Sequence, residues 1–106
     1  MEKPEDLRIA RDDLKAAYCD AFFRLAQILF EEDPIGINFE HNTDEYEPEA
    51  GTILPQLRQC HTVAEIQGLL YLEFVRWFDA GIAGPPERYR RAAERISAEM
   101  AQWSMP

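Results

Sequence analysis

The chain alternates long stretches of helical periodicity with short segments rich in proline and glycine. Pro4-Glu5-Asp6 suits a helix start, because proline is tolerated in the first turn and acids complement the positive pole of the dipole. No Gly or Pro then intervenes before Pro34. Leu7, Leu14, Tyr18, Ala21, Leu25 and Ile28 recur at helical spacing, widened by Ala10, Ala17, Phe22 and Leu29. A second apolar line, Ile9, Ala16, Phe23 and Phe30, runs along another side. A helix apolar on two sides is either central to its bundle or part of an oligomer contact; the central position is the simpler expectation.

This helix should stop at Asp33-Pro34, since a residue before proline is pushed out of helical geometry. Pro34-Ile35-Gly36 reads as a turn, and Asn38 to Glu47 as a loop. Pro48, Gly51 and Pro55 argue against one continuous helix, so the segment predicts a turn over Pro48–Gly51. A short helix should follow, capped by Thr52 and ending near Cys60. Thr62-Val63-Ala64-Glu65 fits a capping box opening a helix to about Ala80, with Gly81 as its stop. Val63, Ile66, Leu70, Phe74, Trp77 and Phe78 form its core face. After the break at Gly84-Pro85-Pro86, Tyr89, Ala92, Ala93, Ile96, Met100 and Trp103 mark a last helix. The expected fold is all-α: a small single-domain bundle of three substantial helices and one short one, with a long acidic loop after the first.

Charge sharpens this picture. The net charge is −9 over 106 residues, which disfavours nucleic acid and anionic membrane as partners. Leu25–Leu57 holds eight acids and no Lys or Arg, so nearly all of the imbalance lies there. No apolar run reaches the roughly 20 residues of a membrane span, and "MEKPEDLR" lacks the apolar core of a signal peptide; a cytoplasmic location is expected. Cys19 and Cys60 then read as free thiols.

Recognisable catalytic chemistry is sparse. No HExxH, GxSxG, Walker or GxGxxG pattern occurs. Cys60 and His61 are adjacent, and neighbours on an element do not face each other. Acids abound, but nothing separates a general acid from a general base. Asn38, Glu40, Asn42, Asp44 and Glu49 approximate the register of a calcium loop, yet Thr43 stands where that loop needs glycine. Neither a catalytic residue nor a metal or other cofactor is therefore assigned. Arg88, Arg91 and Arg95 share a face of the last helix, interleaved with Glu87 and Glu94, and read as solvated or internally paired.

The acids themselves divide. Asp44, Glu45, Glu47 and Glu49 precede or open a helix, where negative charge is favourable. Glu31, Glu32 and Asp33 end one, at the pole that disfavours it, and a local rule broken without visible compensation points to function. The connection is also longer than bundle loops usually are. It carries Ile35, Ile37, Phe39 and Tyr46, which could anchor a partner or pin the loop to its own core.

"DPIG", then "DEYEPEAGTILPQL", "EFVRWF" and a final tryptophan helix resemble small uncharacterised bacterial helical proteins in which a DPIG turn and a D-E-Y-[DE] segment join two helices. The resemblance spans about Asp33 to Trp103. It implies a bacterial cytoplasmic protein and a conformational role for Asp33, Pro34, Gly36 and Tyr46, and carries no catalytic residue.

The leading expectation is a non-enzymatic binding protein. Its contact surface would comprise Glu31, Glu32, Asp33, Phe39, Glu40, Asp44, Glu45, Tyr46, Glu47 and Glu49, facing a basic protein partner. An immunity protein or antitoxin covering a cationic, nuclease-like toxin is one concrete form. The rivals are a calcium- or magnesium-binding domain or metal-dependent hydrolase built on the same acids, and a homodimer formed through the Phe23/Phe30 line.

Overall fold

The computed structural model describes residues 20–36 and 46–103. Among these residues there are helices and turns but no strand, giving a small all-α domain. Helix α1 spans Asp20–Glu32, α2 Glu47–Leu57, α3 Val63–Phe78, the short α4 Ala80–Ala83, and α5 Arg90–Glu99. Single 3-10 turns at Pro86–Tyr89 and Met100–Gln102 flank α5. The four longer helices form a closed cycle in which α1 packs on α2, α2 on α3, α3 on α5, and α5 back on α1. No helix among the described residues is long and apolar enough to cross a membrane.

Helix α1 ends where Pro34 requires. Asp33 takes a left-handed conformation, φ 47°, and its amide still bonds to the Leu29 carbonyl at 2.8 Å. The Gly36 amide then closes the Asp33-to-Gly36 turn at 3.1 Å. Ala21, Phe22, Leu25, Ile28 and Leu29 are buried, as the first apolar line requires, and Ala26 is buried beside them. The second line fares differently: Phe23 remains 54% exposed and Phe30 half-buried. Among the described residues, α3 takes the central place expected of the first helix, touching α2, α4 and α5. The part of the expected first helix before Asp20 lies outside the described residues.

Helix α2 corrects the expected turn at Pro48–Gly51 and the cap at Thr52. It starts five positions earlier than Thr52, with Pro48 in its first turn and Gly51 and Pro55 inside it. Burial explains the override. Tyr46, Ala50, Ile53, Leu54 and Leu57 recur at helical spacing and are fully enclosed, a gain that exceeds the propensity cost of the breakers. Side chains also service the carbonyls of this irregular turn: Thr52 Oγ1 donates to the Glu49 carbonyl at 3.1 Å, and Gln56 Nε2 to the Thr52 carbonyl at 2.8 Å.

Helix α3 opens on the expected box. Thr62 Oγ1 accepts from the Glu65 amide at 3.1 Å, while the Glu65 carboxylate accepts from the His61 amide at 2.9 Å. That backbone bond holds the Glu65 carboxyl below its ordinary range. The far end is again a correction. The helix stops at Phe78 rather than Ala80, because Asp79 (φ 97°), not Gly81, makes the reversal. Residues other than glycine seldom adopt this backbone; here Asp79 Oδ1 offsets it by accepting from the Ile82 amide at 2.9 Å, capping α4.

Phe74 lies at the centre of the core, with ring centroids 5.9 Å from Tyr46, 5.9 Å from Phe78 and 5.0 Å from Tyr89. Tyr89 is fully buried, and its hydroxyl donates to the Ala83 carbonyl at 2.6 Å. Burial pushes that phenol up to about 12, so it stays a donor across the neutral range.

Gly84 closes α4 at φ 73°, and Arg88 lies over it: a Cβ there would meet the guanidinium carbon at 2.5 Å. Arg88 in turn reaches the carbonyls of Pro34 and Ile82, both at 3.4 Å. Gly84→Ala is expected to cost about 1–3 kcal/mol, chiefly for a Cβ on a positive-φ backbone that is essentially restricted to glycine. Urea unfolding followed by circular dichroism checks it; a change under about 0.5 kcal/mol, the range of neutral surface substitutions, would discount the backbone argument.

Candidate functional site: the acidic helix end and its internal partners

Glu31 and Glu32 occupy the last turn of α1, which contains no basic residue of its own. The compensation comes from α5. Arg95 bridges both carboxylates, Nη2 to Glu31 Oε1 at 2.6 Å and Nη1 to Glu32 Oε2 at 3.1 Å. Arg91 approaches the other Glu32 oxygen at 3.4 Å. Further along the same two helices, Arg24 Nη2 meets Glu99 Oε1 at 2.6 Å. The face carrying Arg91 and Arg95 is thus internally paired. Arg88, the third member, binds backbone carbonyls as described, and Arg90 pairs loosely with Glu94 at 3.8 Å.

These contacts alter the meaning of Glu31 and Glu32. Their position at the disfavoured pole suggested function because no compensation was visible in the sequence; the arginines of α5 supply it. The Arg95 guanidinium, and secondarily Gln27, hold the Glu31 carboxyl below its ordinary value of 4.5. A depressed carboxylate stabilises the fold above its unfolded pKa and loses that contribution as pH falls through the folded value. Arg95→Ala is therefore expected to cost up to about 1 kcal/mol at neutral pH, as partly exposed pairs do. The deficit should shrink below about pH 4.5. Urea midpoints for wild type and variant, measured at neutral and acid pH, test this; a deficit that grows in acid would contradict it.

Asp33 and Tyr46 meet across the connection. The fully buried Tyr46 hydroxyl donates to Asp33 Oδ1 at 2.6 Å, so the DPIG turn and the tyrosine of the DEYE segment form one unit. Tyr46 also packs against Phe74, and Glu49 is only 3% exposed. Both side chains, members of the expected partner-binding set, are therefore buried in this arrangement. Glu47 is half-buried, beside Phe23, Ala26, Gln27, Phe30 and Glu31 around a shallow groove of about 420 Å³. Phe39, Glu40, Asp44 and Glu45 lie outside the described residues, as do Asn38, Asn42 and Thr43 of the calcium-like register.

Among the described residues no group of three or more His, Cys, Asp or Glu side chains is placed to hold a metal. Burial raises the Cys60 thiol above its ordinary value, which keeps it from being a ready nucleophile. His61 is exposed beside it. The sequence reading also passed over Glu73, in the apolar run of α3, which proves almost fully buried. Its interruption of the core line between Leu70 and Phe74 was the available signal.

Fold and site together define a small all-α domain whose acidic helix end is neutralised from within by the arginines of its last helix. The chain matches no family model, no curated protein and no solved structure.

Proposed function

We propose that the protein is a non-enzymatic binding protein that engages a basic protein through its acidic segment, in the manner of an immunity protein or antitoxin covering a cationic toxin. The observation that carries this reading is the concentration of eight acids, with no Lys or Arg, in Leu25–Leu57. The internal pairing narrows the surface. With Glu31 and Glu32 tied to α5 and Tyr46 and Glu49 buried, the reading rests chiefly on Phe39, Glu40, Asp44 and Glu45. The Asp33–Tyr46 bond supports it further by holding the two ends of that segment together. Complementary charge would accelerate association, and the apolar anchor would slow dissociation.

The test begins with isolation of a partner from the native host on the immobilised protein. Association rates are then measured as salt is raised. The rate should fall steeply for the wild type, and Asp44→Lys with Glu45→Lys should remove most of the salt dependence. Association indifferent to salt and to these reversals would exclude the reading. Stoichiometric calcium or magnesium binding by calorimetry would favour the metal-binding alternative.

A further inference from the structure

Outside the acidic helix end, one cleft combines a buried charge with an aromatic wall. Thr52 and Gln56 of α2 and Glu73, Arg76 and Trp77 of α3 line a surface cleft of about 350 Å³. The Glu73 side chain is 5% exposed, yet it ends on this cleft. A buried carboxylate is costly unless its oxygens are occupied, so the hydrogen-bond inventory of the walls is informative.

The donors nearest to it are largely spent. Gln56 Nε2 uses one hydrogen on the Thr52 carbonyl at 2.8 Å and the other on Glu73 Oε1 at 2.7 Å. Trp77 Nε1 donates to Thr52 Oγ1 at 3.0 Å, and that hydroxyl donates onward to the Glu49 carbonyl at 3.1 Å. Arg76 reaches Glu73 only through Nη1 at 3.3 Å, again on Oε1, and its side chain is 75% exposed. Both bonds to Glu73 therefore fall on one oxygen, and Oε2 receives none among the described residues. The Trp77 edge is engaged, which leaves its ring as an apolar wall.

What is missing from this cleft is a donor, carried on a group that tolerates an indole beside it. A guanidinium satisfies both requirements. Its planar fork matches a carboxylate, it is weakly hydrated for a cation, and it stacks on aromatic rings. The chain's net charge of −9 favours a cation and disfavours a ligand bearing a carboxylate. The geometry points to this cleft as a receptor for a single arginine side chain of a protein partner, held by Glu73 Oε2 against Trp77. The exposed Arg76, on Oε1 of the same carboxylate, is a neighbouring cation that opposes the incoming arginine.

The inference deepens the proposed function by naming a side chain that a basic partner would insert. The cleft nevertheless contains none of Phe39 to Glu45, and its occupancy can be tested without a partner. The probe is N-acetyl-arginine methylamide, with the uncharged citrulline analogue as control, followed by ¹H–¹⁵N spectra at constant ionic strength. A saturable shift of the Trp77 indole resonance is expected with arginine, with Trp103 unmoved and no response to citrulline. Glu73→Gln, which keeps the oxygen that Gln56 bonds, should weaken binding about tenfold or more, as loss of a charged hydrogen bond does. Arg76→Ala should bind at least as tightly as wild type, and the Asp44→Lys, Glu45→Lys variant should bind unchanged. No saturable Trp77 shift, equal shifts with citrulline, or loss of binding on Arg76→Ala would each overturn the inference. If Glu73→Gln fails to fold, the citrulline and Arg76→Ala arms still decide it. A failure here with salt-steered partner association intact would remove the cleft and leave the acidic segment standing.

Discussion

Replacing Phe74 by alanine is expected to lower the unfolding free energy by about 3–5 kcal/mol, the range found when large core aromatics are truncated. For a domain whose whole stability is of the order of 5–15 kcal/mol, that is a large share. The expectation rests on position as well as size. Phe74 is fully buried and contacts aromatic rings from three other places in the chain: Tyr46 before α2, Phe78 one turn further along α3, and Tyr89 before α5. Each such pair adds about 0.5–1.5 kcal/mol beyond the area buried. None of these partners can close the void alone, because Tyr46 and Tyr89 are themselves tied by hydroxyl bonds to Asp33 and Ala83. Phe74→Leu restores much of the apolar volume but not the ring contacts, and should cost clearly less than the alanine variant while remaining destabilising. Urea denaturation of both variants separates packing from mere hydrophobicity. An alanine variant within 1 kcal/mol of wild type would mean that the ring cluster does not organise the core, given the usual cost of such truncations.

The same cluster shows which parts of the fold were legible in sequence. Ile66, Leu70 and Phe74 were readable as a core face because their spacing is a property of one helix. The stop at Asp33-Pro34 and the box at Thr62 were readable because their chemistry acts within a few residues. Helix α2 was not. Pro48, Gly51 and Pro55 are correct local signals for a broken segment, and only the enclosure of Ala50, Ile53, Leu54 and Leu57 by other helices outweighs them. At Asp79, a glycine two positions later offered the commoner helix stop, whereas the reversal falls on an aspartate whose side chain caps the next turn.

The acidic site failed to read through for a related reason. Both halves of the Glu31/Glu32–Arg91/Arg95 cluster were visible as charged patches. Their pairing depends on how α1 crosses α5, which joins residues about sixty positions apart. A helix that ends in two glutamates looks anomalous alone and ordinary beside the arginines of its neighbour. A local rule broken in sequence points to function only where no long-range partner compensates it. Glu73 is the remaining exception: its side chain is nearly buried, and its Oε2, which still reaches the cleft, accepts no hydrogen bond among the described residues.

Tyr46→Phe carries the second large expectation, a loss of about 1.5–3 kcal/mol, the usual contribution of hydrogen bonds to charged groups. The ring and its packing on Phe74 are retained, so the loss isolates the 2.6 Å bond to Asp33. Asp33 contributes to the cost because it already holds a left-handed backbone and sits in the tight turn to Gly36. Removing the phenol withdraws a donor from a half-buried carboxylate and unfastens the base of the connection at once. The damage should therefore be local. Amide exchange should accelerate most at Asp33 and Gly36 and in the first turn of α2, and least in the middle of α3. Asp33→Asn, which keeps an acceptor and tolerates the same backbone, should lose clearly less than Tyr46→Phe. If exchange rises evenly over the whole domain, the bond acts on global stability alone and does not fix the ends of the acidic segment. The support it lends to the binding role would then be withdrawn.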